Sequence, residues 1–72
     1  MVVVKRIPSV EALQRLHRLA WSVPEEVVVR APDGTASADA KSPMGLFTLD
    51  YSEPVEIETD SPAVLAEVGG WP

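Results

Sequence analysis

Apolar positions along this chain change period several times, and each change predicts a new element. Residues 2 to 7, VVVKRI, are a short β-branched run that suits a strand. From Val10 the spacing lengthens to that of a helix. At about 100° per residue, Val10, Leu13, Leu16, His17, Ala20 and Trp21 share one broad face, with Glu11, Gln14, Arg15 and Arg18 on the other. Pro8 and Ser9 mark its start, because proline tolerates a missing donor and serine offers a cap. The result is an amphipathic helix that needs an apolar surface to lie on.

Pro24 ends that pattern, and EEVVVRA reads as a second strand. The PDG turn signal then makes TASADA its antiparallel partner, with a thin alanine and serine surface. Glu25 and Glu26, ahead of the second strand, read as charges that discourage edge pairing. Ser42-Pro43 repeats the cap-and-proline start and predicts a short helix through about Leu49. Gly45 within it costs about 1 kcal/mol relative to alanine. EPVEIET alternates, with Val55, Ile57 and Thr59 on one face and Glu56 and Glu58 on the other, as in a half-buried strand. Ser61-Pro62 opens a last helix of less than two turns, stopped by Gly69-Gly70, and Trp71 is expected to fold back over the core. The order β-α-β-β-α-β-α over residues 1–72 predicts one α+β domain, an antiparallel sheet with helices on one face.

Composition narrows the function classes. The net charge is −5, from 11 acids and 6 bases, which lacks the positive footprint of nucleic-acid binding and disfavours anionic membranes. There are no cysteines, so neither disulfides nor cysteine-based zinc sites can form. No apolar run reaches the ~18 residues of a spanning helix. In MVVVKRI the basic residues follow the apolar run, the reverse of a signal peptide. A cytoplasmic protein is expected. No glycine-rich phosphate loop is present, no cofactor is expected, and Glu56 and Glu58 read as a solvated sheet face rather than a metal site.

The element order and the middle of the chain together resemble the HPr family, the histidine-containing phosphocarriers of the sugar phosphotransferase system. The resemblance is strongest over residues 26 to 60, where Lys41-Ser42, Met44-Gly45, Leu49 and Val55-Glu56-Ile57 fall into the family's register. It implies an open-faced β-sandwich: a four-stranded antiparallel sheet covered on one side by three helices, the last of them shortened here. Two departures accompany it. The family's phosphoryl-accepting histidine sits between the first strand and first helix, where this chain reads KRIPSVEAL, with Ser9 in about that place. The short C-terminal helix is the second departure, leaving more sheet for Trp71 to cover or for an oligomer interface.

His17, in LHRLA, is only ten positions from Val27, so placing it at the helix start would delete most of the first helix. It is expected inside that helix, packed or half-exposed at the edge of the apolar face. Ser42 is expected to cap the second helix with its side chain. By resemblance it is also a candidate regulatory phosphorylation site, with Lys41 beside it. Met44 and Phe47, three apart, are candidates for docking partner proteins, while Leu46 and Leu49 serve the core. The expectation is a non-catalytic HPr-like binding or regulatory module. Two alternatives stay open: a working phosphocarrier that uses His17, and a structural domain that self-associates or belongs to a larger enzyme.

Overall fold

Seven elements form in the predicted order: β1 (Val2–Lys5), α1 (Val10–Ser22), β2 (Val27–Arg30), β3 (Ser37–Asp39), α2 (Pro43–Leu46), β4 (Val55–Thr59) and α3 (Pro62–Gly69). They are described in a computed structural model covering residues 1–72. The strands make a single antiparallel sheet in the order β1-β4-β2-β3, so the last strand in sequence lies between the first two. This is the α+β, open-faced layout expected from the sequence.

Register follows from side-chain alternation. Val55, Ile57 and Thr59 of β4 are buried, as are Val27 and Val29 of β2, and they join Ala12, Leu13, Leu16 and Ala20 of α1 and Val64 and Val68 of α3. The opposite face carries Val2 and Val4 of β1, Glu56 and Glu58 of β4, Val28 and Arg30 of β2, and Ser37 and Asp39 of β3. Arg30 reaches both carboxylates there, hydrogen bonding to Glu58 and lying 3.7 Å from Glu56. The two acids are therefore paired rather than simply solvated.

Side chains hold the ends of the elements. Ser9 Oγ accepts from the Ala12 N–H at 3.1 Å and Ser61 Oγ from Val64 at 3.2 Å, so both serines cap as expected. The buried Thr59 hydroxyl donates to the Glu26 carbonyl at 2.7 Å and accepts from the Ser61 N–H at 3.1 Å. In the β2–β3 turn Gly34 adopts φ +77, a conformation that L side chains rarely take, and Asp33 accepts from Thr35. Trp71 folds back into the core, as predicted, and Lys5 Nζ donates to its carbonyl at 3.2 Å.

Several expectations are corrected. Val10 and Trp21 are 62% and 66% exposed, because the buried stripe of α1 is centred on Ala12, Leu16 and Ala20. The buried stripe runs through the small alanines, and the α1 backbone comes close to that of α3. Helix α2 ends at Leu46, short of Leu49. Helix α3 runs eight residues and includes Gly69. Strand β2 is internal, so Glu25 and Glu26 do not guard an edge; the edges are β1 and β3. No helix is long and apolar enough to cross a membrane.

Candidate functional site

The site is built on the chain from Asp39 to Tyr51, which leaves the edge strand β3, turns, and forms α2. In the turn, the Ser42 N–H donates to the Asp39 carbonyl and the Lys41 N–H to Asp39 Oδ1, both at 2.9 Å. His17, in mid-α1, places its Nδ1 2.8 Å from the Ala40 carbonyl oxygen. A carbonyl only accepts, so Nδ1 carries the proton and, in the neutral ring, Nε2 keeps its lone pair. The histidine is inside the helix and half-buried, where the spacing argument put it.

Helix α2 is a single turn. The Ser42 carbonyl accepts from Leu46 N at 3.0 Å and the Pro43 carbonyl from Phe47 N at 2.9 Å. Thr48 then closes it by donating from both its N–H and its hydroxyl to the Gly45 carbonyl. The Tyr51 hydroxyl donates to the Leu46 carbonyl, and burial pushes the Tyr51 pKa up to about 12. Gly45 packs against β3: a Cβ there would lie 3.5 Å from the Ala38 Cβ.

With so short a helix, each side chain has a distinct fate. Leu46 is fully buried and Leu49 packs on the edge of the core, as expected. Met44 is 81% exposed and Phe47 is 42% exposed. Lys41 is half-buried beside them in sequence. Ser42 occupies the N-cap position, but its side chain makes no capping bond. This corrects the expectation drawn from the cap-and-proline pattern. Its main chain, held by Asp39 and Leu46, defines the turn, and the hydroxyl is left exposed.

Sequence reasoning assigned Val10 and Trp21 to the core and so missed them as surface. By helical period they lie on the same flank of α1 as His17, the flank tied to residue 40. The signal that could have found them is the alanine pair Ala12 and Ala20, both fully buried in the α1 stripe. At the β1–α1 junction Ser9 is committed to capping α1, and Arg6 Nη1 donates to the Ser52 carbonyl at 3.1 Å. No group of three or more His, Asp or Glu side chains is arranged to hold a metal ion.

The sequence matches no protein-family model and no curated protein.

Proposed function

We propose that this chain is an HPr-like binding or regulatory module without phosphohistidine chemistry, docking protein partners through α2 by way of Met44, Phe47 and Lys41. The observation that carries this reading is the division of labour in α2. Leu46 anchors the turn in the core while Met44 and Phe47 hold apolar surface in solvent. An adaptable methionine beside an aromatic ring is a composition that suits protein recognition.

Two further observations support the absence of carrier chemistry. The β1–α1 junction offers Ser9, already engaged in a cap, where a carrier needs an imidazole. His17 is held within α1 with Nδ1 bonded to Ala40. The partners we infer are phosphotransferase-system or regulatory proteins of the cytoplasm. Ser42, with its exposed hydroxyl, is the position at which phosphorylation would tune docking, by adding charge next to Met44.

The test is incubation with enzyme I of the phosphotransferase system and phosphoenolpyruvate. No stable phosphoryl label on the chain is expected. In the same mixture Met44→Asp should lower any enzyme I affinity while the fold is kept. Stoichiometric label on His17 would overturn the reading in favour of a phosphocarrier.

A further inference from the structure

The two edges of the sheet are unequal. Strand β3 is three residues long, carries only small or polar side chains, and leads into the Asp39 turn. Strand β1 has four residues and none of the usual protections at its outward positions. The Thr59 N–H donates to the Met1 carbonyl, so Met1, Val3 and Lys5 turn their main-chain groups toward β4. The N–H and C=O groups of Val2 and Val4 therefore point out of the sheet. These same residues are 49% and 59% exposed on the helix-free face. Lys5, which could have guarded the edge, faces the helices and is bonded to the Trp71 carbonyl.

We propose that β1 is a dimerisation strand: two copies of this chain join antiparallel, edge to edge, about a twofold axis at Val3. The self-pairing is in register. Val2 of one copy and Val4 of the other both present outward N–H and C=O groups, and so exchange two hydrogen bonds, twice by symmetry. Val3 meets the partner's Val3 as a non-hydrogen-bonded pair, with Cα atoms about 4.5 Å apart. The four outward valines form one apolar strip across the middle of an eight-stranded sheet.

Charge selects the same partner. Beyond Val4 the chain leads to Arg6, exposed, with its Nη1 on the Ser52 carbonyl of the same copy. At the other end, next to Val2, a depression of ≈ 380 Å³ is lined by Glu25, Glu26, Glu58 and Asp60 together with Met1 and Val28. Antiparallel pairing sets the Arg6 end of each copy beside the acidic end of the other, where Asp60 is held by its own Met1 ammonium at 3.0 Å and Glu25 and Glu26 carry no ion pair. Glu56 and Glu58 face the valines, but Arg30 already balances them within each copy. This dimer uses none of the α2 residues and stands or falls separately from the docking function.

The experiment is sedimentation equilibrium of the full chain from micromolar to millimolar concentration, with circular dichroism to check folding. The mass should rise from one chain to two. Val4→Lys should raise the dissociation constant about tenfold or more, equivalent to at least one decade of affinity. Thr35→Lys, in the β2–β3 turn, should leave it unchanged. Val3→Cys introduces the only thiol in the chain and should form an intermolecular disulfide faster than Thr35→Cys, since the paired Cα atoms lie in bonding range. A single-chain mass at every concentration overturns the proposal. So does a dimer that persists in Val4→Lys and leaves Val3→Cys unlinked, because its interface lies elsewhere.

Discussion

The Nδ1 of His17 bonds the carbonyl oxygen of Ala40 across 23 positions of chain, fixing the middle of α1 to the turn that launches α2. Ala40 is fully buried and its own N–H is spent on the Val27 carbonyl. His17 thus supplies a donor where the chain leaves β3, and the site inherits its orientation from the body of the fold.

His17→Ala should therefore destabilise the protein by about 1–2 kcal/mol, the loss of a partly buried hydrogen bond. Urea denaturation measures it. Amide exchange should also quicken from Asp39 to Leu46, while the β1–β4 pairing keeps its protection.

The three serines at helix starts separate by chemistry rather than by sequence context. Ser9→Ala and Ser61→Ala should each cost about 1 kcal/mol, since each removes a bond to a helix N–H. Ser42→Ala should fall within about 0.5 kcal/mol of the parent, because its side chain makes no cap bond. Equal losses at all three in thermal unfolding would contradict this assignment.

Two glycines should respond in opposite directions. Gly45→Ala places a methyl in ordinary contact with Ala38 and should stabilise by about 0.5–1 kcal/mol. Gly34→Ala, at φ +77, should destabilise by about 1 kcal/mol. Paired denaturation curves read both.

Tyr51 is the only tyrosine, so its ionisation can be followed by ultraviolet absorbance. Burial raises its folded pKa from the ordinary 10.0 to about 12. Between those values the unfolded chain has lost the phenolic proton and the folded chain retains it. Its contribution to stability is whole below pH 10 and is lost as the pH rises through about 12. Tyr51→Phe should flatten that decline.

In α2, function and stability should part company. Leu46→Ala should cost about 2–5 kcal/mol as a buried leucine is emptied. Met44→Ala should change stability by less than about 0.5 kcal/mol, and the docking role proposed for α2 puts its effect in partner affinity instead.

Much of the fold could be read from the sequence because strong local signals agreed with the tertiary arrangement. The alternation of Val55, Ile57 and Thr59 against Glu56 and Glu58 survives intact in β4. Ser9 and Ser61 cap where proline and serine pointed. Alpha1 misled at its margins: apolar bulk drew attention to Val10 and Trp21, while the buried stripe runs through alanines. At α2 a four-residue turn is too short for local chemistry to govern its ends. Thr48 and Tyr51, acting from outside the helix, took the carbonyls of Gly45 and Leu46. The bond between His17 and Ala40 left no trace in spacing, since nothing local announces which carbonyl a histidine will meet.

The placing of β4 between β1 and β2 has a consequence for how the protein comes into being. Met1 and Asp60, joined at 3.0 Å, are 59 positions apart, and the sheet has no direct β1–β2 pairing to form in the meantime. A nascent chain leaving the ribosome can make α1 and the β2–β3 hairpin early. Strand β1 must wait until β4 has emerged before it can pair. Until then VVVK is an unpaired, β-prone segment in a crowded cell, and shielding it falls to chaperones or to chance.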